Sequence, residues 1–91
     1  MKVFFIGVSV RRGVSKKGND YEISKLFYGV PAESKTTDAY RYVAYGMEVR
    51  EVDLNPASVH EFSDIVPGTE VDLVVEPKGN NLSRNWVVGY K

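Results

Sequence analysis

The chain has 91 residues, 43% of them hydrophobic, and 12 Lys and Arg against 12 Asp and Glu, so its formal net charge is zero. A chain this short buries only about 60–65% of its unfolded surface, which leaves room for a single domain over residues 1–91 and excludes a deep cleft between two lobes. It has no cysteine and one histidine, so disulfides and thiolate metal sites are excluded and no cofactor is expected.

The apolar segment 2–10 begins as a signal peptide would, but Arg11-Arg12 follows at once and no small-residue cleavage site does. It reads as a first strand, apolar on both faces and so suited to the centre of a small barrel. No apolar run approaches the ~20 residues of a membrane-spanning helix; the expectation is a cytoplasmic protein with no membrane partner. Arg11 to Asp20, with Gly13, Gly18 and a Gly-Asn pair, is the turn of a long hairpin. Tyr21 to Val30 returns, with Tyr21, Ile23, Lys25 and Phe27 on one side and Glu22, Ser24, Leu26 and Tyr28 on the other. Pro31 ends it, and Ala32 to Asp38 reads as a polar loop.

Tyr40 to Leu54 predicts a long third strand whose alternation slips at Gly46, the mark of a bulge or bend. Asn55-Pro56 supplies an N-cap and a proline at the first helical position, and Val59, Phe62 and Ile65 or Val66 recur at three- to four-residue spacing, which predicts one short helix stopped by Pro67-Gly68. Val71, Leu73 and Val75 mark a fourth strand, Pro77 to Asn81 a turn, and Leu82 to Tyr90 a fifth strand with Leu82, Arg84, Trp86, Val88 and Tyr90 on one face. Three strands, a helix and two strands is the order of a five-stranded OB-type barrel with one short helix between strands three and four, an all-β fold.

The zero net charge conceals a division along the chain. Residues 1–50 carry nine Lys and Arg against five acids, whereas the 26 residues from Glu51 to Glu76 carry seven acids and no Lys or Arg. Enzymatic constellations are missing from the pattern: His60 has no partner His or Cys, the carboxylate pairs fall on exposed faces, and no phosphate-binding glycine loop joins a strand to a helix, so the expectation is a protein that is not an enzyme. What remains is a basic hairpin, with Arg11, Arg12, Lys16, Lys17 and Lys25, followed by Tyr21, Phe27 and Tyr28 on the return strand and by Tyr40, Arg41 and Tyr42 on the next. Rings that stack on bases beside cations that meet phosphates are what binding a nucleic-acid single strand requires.

The run Arg11-Arg12-Gly13-Val14-Ser15-Lys16-Lys17-Gly18-Asn19-Asp20-Tyr21 resembles the DNA-binding hairpin of the filamentous-phage single-stranded-DNA-binding proteins, in which an arginine, a Gly-Val-Ser step, a basic tip, a glycine and a tyrosine follow in that order. The resemblance implies an OB-fold homodimer that coats single-stranded phage DNA cooperatively with little sequence preference. It implies Arg11 and Lys16 at phosphates, Tyr21 and Ile23 against bases, Arg84 as a cation on the last strand, Tyr28 as a further aromatic on the return strand, and either Tyr40 or Tyr42 as a stacking ring. The acidic helix and fourth strand are expected to face away from DNA. Two other functions fit the sequence: an interaction or regulatory module whose working surface is the acidic face, and an RNA-binding translational repressor that uses the same face as DNA would.

Overall fold

In the computed structural model the described residues are 1–79 and 81–91, without the side chains of Asn81 and Leu82; Asn80 of the last turn and the face expected for Leu82 lie outside them. The chain forms β1 (Lys2–Val14), β2 (Asp20–Pro31), β3 (Lys35–Thr36), β4 (Arg41–Tyr42), β5 (Met47–Asp53), a 3-10 helix (Pro56–Phe62), β6 (Glu70–Lys78) and β7 (Asn81–Tyr90). Five strands form one sheet in the order β5-β2-β1-β6-β7, with antiparallel neighbours throughout, and β3-β4 is a separate small ribbon. The ends of the sheet curl towards each other: Leu54, just after β5, bridges Val87 of β7 in the parallel sense, and the Asn55 N–H donates to the Val87 carbonyl at 2.9 Å. The fold is mainly β and OB-like, as the order of elements implies.

Two bulges decide which side chains enter the core. In the β1-β2 pairing Phe5 lies opposite Tyr28 and Val8 opposite Leu26, so Ile6 is an extra residue. Positions three apart on an unbroken strand point to opposite faces; the bulge lets Phe5 and Val8 point the same way. Between β6 and β7, Val74 pairs with Gly89 and Val75 with Val87, so Val88 is extra. The face expected on the last strand is corrected accordingly: Val87 is the fully buried residue, and beyond the bulge Tyr90 turns inward onto Phe62, at a ring separation of 5.2 Å.

The expected third strand is also shorter than the sequence pattern suggests. Gly46 adopts φ +82°, a conformation that side chains disfavour, and its carbonyl accepts the Ala32 N–H at 2.9 Å, so the chain turns there. Upstream, the expected polar loop folds into the β3-β4 ribbon, in which Thr37 Oγ1 accepts the N–H groups of Ala39 and Tyr40.

The helix forms where expected, capped by the Asn55 side chain, which accepts the Ala57 N–H at 3.0 Å. Its apolar residues Val59 and Phe62, with Ile65 beyond, recur every third position, the period of a 3-10 helix, and all three pack into the core. Phe62 is 1% exposed and stacks on Phe5 at 6.0 Å, and the Ser58 hydroxyl donates to the Val88 carbonyl at 2.7 Å, fastening the helix to the second bulge. Among the described residues no helix is long and apolar enough to cross a membrane. Phe62→Ala is expected to destabilise the barrel by about 3–5 kcal/mol in urea unfolding, whereas Val14→Ala, on the exposed arm, should stay within about 0.5 kcal/mol.

Candidate nucleic-acid interface

The first hairpin outruns the core. On β2 the buried residues begin at Ser24, so Arg11–Val14 and Asp20–Ile23 pair with each other but with no third strand. This arm contributes to a radius of gyration of 16.1 Å, against about 12 Å for a compact domain of this length. At its tip the Gly18 N–H donates to the Ser15 carbonyl at 2.9 Å and the Ser15 N–H to the Asn19 carbonyl at 2.8 Å, with Gly18 at φ +85°. That is a three-residue hairpin loop with glycine in the left-handed position, and it leaves Lys16 and Lys17 projecting into solvent.

Strand alternation then sorts the arm. Residues paired across it share a face, so Gly13 with Tyr21, Arg11 with Ile23 and Ser9 with Lys25 lie on one side, and Arg12 with Glu22 and Val14 with Asp20 on the other. The Tyr21 ring covers Gly13 so closely that a Cβ there would stand 2.7 Å from its hydroxyl. Next along the same face, Ser9, Arg11, Ile23, Lys25, Phe27 and Glu51 line an open groove of about 310 Å³. Cations and rings thus alternate over one surface.

Lys25 carries this surface across to the end of the chain. Its Nζ lies 2.5 Å from one oxygen of Asp53 on β5, its direct neighbour in the sheet; the other oxygen is 2.7 Å from Lys78 Nζ on β6 and 3.7 Å from Arg84 on β7. Charge-assisted hydrogen bonds from Lys25 and then Lys78 lower the Asp53 pKa from 3.8 to about 2, against a smaller opposing effect of burial. Lys78 Nζ also sits 5.8 Å from the centroid of Trp86, the only tryptophan of the chain. Ile23, Asp53, Lys78 and Trp86, with Glu22 and Ser24, line one small groove of about 130 Å³ where the arm meets the core.

The structure therefore brings Arg11, Tyr21, Ile23 and Arg84 towards one surface, with Lys16 and Lys17 at its tip. Arg12 is on the opposite side of the arm, where its Nε pairs with Glu22 at 3.2 Å. Tyr28 is corrected: it is 9% exposed and packs in the core on the strand face opposite Lys25 and Phe27, so its ring has no open side to offer a base. Tyr40 and Tyr42 are exposed on the ribbon and line a separate cavity of about 690 Å³ with Lys35, Glu48 and Arg50. Two acids of the acidic stretch lie outside the helix and fourth strand expected to face away, on β5: Asp53 is at the centre of the cations and Glu51 lines the arm groove, while Asp72 of β6 pairs with the N-terminal amine at 2.7 Å. Sequence reading missed Asp53, Lys78 and Trp86 as one group. Its one trace is an aspartate between Val52 and Leu54 in an otherwise apolar strand end.

Two outcomes follow. Because the folded-state pKa of Asp53 is depressed, its contribution is complete above about pH 4 and lost as pH falls towards 2. Thermal unfolding from pH 2 to 6 should show an acid limb to which Asp53 contributes about 1–2 kcal/mol, so that Asp53→Asn shortens it and leaves the part due to Asp72, whose pKa the N-terminal amine also lowers. At the arm, Gly13→Ala should lift the Tyr21 ring, removing the ring-current shift of the residue 13 Hα signal with little loss of stability.

A scan against protein-family models matches residues 2–88 to the family described as CTX phage RstB protein. Neither the curated proteins nor the solved structures give a match. The finding agrees with the phage side of the resemblance carried by the first hairpin and, as a description, says nothing of DNA. Since the match runs from the start of β1 into the end of β7, the chain belongs to the CTX phage RstB protein family.

Proposed function

We propose that the protein is a non-enzymatic single-stranded-DNA-binding protein of a phage, with little sequence preference, and that it coats replicating DNA cooperatively as a homodimer. The observation that carries this reading is the continuous face on which Arg11, Tyr21, Ile23 and Lys25 of the first hairpin meet Lys78, Arg84 and Trp86 of the last. Flat rings separated by cations suit a strand whose bases are free to stack and whose phosphates repeat along it. Duplex DNA offers no open base faces on which Tyr21 and Trp86 could stack. Lys16 and Lys17 at the tip extend the phosphate track, and the ribbon tyrosines Tyr40 and Tyr42, beside Lys35 and Arg50, offer a second place for the strand to pass. For the dimer, the support is the exposure of Met47 and Val49 on β5, the end strand of the sheet, and of Val43 and Tyr45 before the turn that leads into it. The dispersal of Glu51, Asp53 and Asp72 among cations and grooves favours this reading over an acidic-faced interaction module.

Titration with oligo-dT should quench the fluorescence of Trp86, and the affinity should fall as salt rises. No quenching, or an affinity indifferent to salt, would contradict the proposal. A matched RNA oligomer that binds more tightly would assign the same face to RNA. Within the interface the roles separate: Tyr21→Ala should cost about 1–3 kcal/mol and leave the salt slope unchanged, whereas Lys16→Gln should reduce the slope by about 0.7. Sedimentation at micromolar concentration should show a dimer that Val49→Asp dissociates.

A further inference from the structure

We infer that Lys25, Lys78 and Arg84 form a phosphate subsite that the protein fills with its own Asp53 carboxylate, so that Asp53 is an internal counter-ion which an incoming phosphodiester must share or displace. The inference rests on the single-stranded-DNA reading and adds a residue that limits affinity within it.

The geometry is that of an anion site. Three cations from three strands converge on a carboxylate whose side chain is 17% exposed, through contacts of 2.5, 2.7 and 3.7 Å. A carboxylate and a phosphodiester present the same recognition unit, two oxygens that accept from ammonium and guanidinium groups. One carboxylate neutralises only one of the three positive charges, and the cations remain open on their outer side: the Arg84 side chain is 63% exposed and makes the longest of the three contacts. Of the other acids nearby, Glu22 lines the neighbouring groove but is paired with Arg12 at 3.2 Å, Glu51 lies in the adjoining groove with Arg11 and Lys25, and Glu76 is opposite Trp86 in the sheet. Among the described residues no second carboxylate forms an ion pair with Lys78 or Arg84.

The neighbouring groove supplies what should lie beside a phosphate. Its walls include Ile23 and Trp86, with Lys78 between ring and carboxylate, and its volume is about 130 Å³. The groove is too small to enclose a base and is open along its length, so a base lies across it against Trp86 while its phosphate reaches the cations. If Asp53 only closed the barrel, removing its charge would weaken the fold and nothing else. If it stands in for phosphate, removing the charge must also tighten binding.

The test compares wild type with Asp53→Asn, each verified as folded by circular dichroism, in anisotropy titrations of a labelled oligo-dT across a salt series. The account expects the variant to bind roughly three- to ten-fold more tightly at low salt, with a salt slope steeper by about 0.7 for each additional phosphate neutralised. Equal or weaker binding with an unchanged slope overturns it. A wild type that does not bind at all instead contradicts the proposed function. Should the variant fail to fold, the wild type answers alone: the side-chain ammonium signals of Lys25 and Lys78 should shift on saturation with the oligomer, with scalar coupling from at least one nitrogen to a backbone phosphorus. Signals unchanged at saturation overturn the inference.

Discussion

One largely buried carboxylate, that of Asp53, holds together parts of the molecule that the chain keeps far apart. It touches Lys25 from the first hairpin and Lys78 and Arg84 from the last, and it lies next to Leu54, the residue through which β5 bridges β7. The curl of the sheet and the juxtaposition of the two hairpins are thus one fact seen twice. Without the cations, the carboxylate would carry its partial burial at the seam with no compensation. Without the carboxylate, three positive charges would crowd the same place.

The rest of the interface depends on parity. The Ile6 bulge turns Phe5 and Val8 inward together, which leaves Ser9, Arg11 and Gly13 pointing outward with Lys25, Ile23 and Tyr21. The Val88 bulge does the same for Val87 and Tyr90. Each bulge sits beside the helix or its contacts, since Phe5 and Tyr90 both pack on Phe62 and the Val88 carbonyl takes the Ser58 hydroxyl. The plug that fills the core therefore also fixes which residues of β1 and β7 reach solvent.

Local chemistry made much of this legible in the sequence. The hairpin with its glycine tip, the alternation of β2, the Asn55-Pro56 cap and the helix between the third and fourth strands of the barrel all rest on short-range patterns. Failures arose where a distant partner decides. Tyr28 differs from Tyr21 only in the parity that faces the core, and its ring is aromatic either way. The bulge or bend expected at Gly46 is a full turn that divides the third strand, because Ala32, fourteen residues earlier in the chain, supplies a hydrogen bond there. Asp53 belongs to the acidic stretch in the sequence, and net charge along a sequence ignores register: nothing local to Val52-Asp53-Leu54 specifies that it will lie opposite Lys25. Zero net charge is likewise uninformative, since folding sets charges of opposite sign from distant segments against one another at this seam.

The central claim is that the face shared by the first and last hairpins binds a DNA single strand. Its most direct test is a map of backbone and side-chain chemical-shift changes on adding oligo-dT to the isotopically labelled protein. The account expects the largest changes at Arg11, Tyr21, Ile23, Lys25, Lys78, Arg84 and Trp86, with Tyr28 and the core unmoved. Changes confined to surfaces away from that face, or none at saturating oligomer, would contradict it.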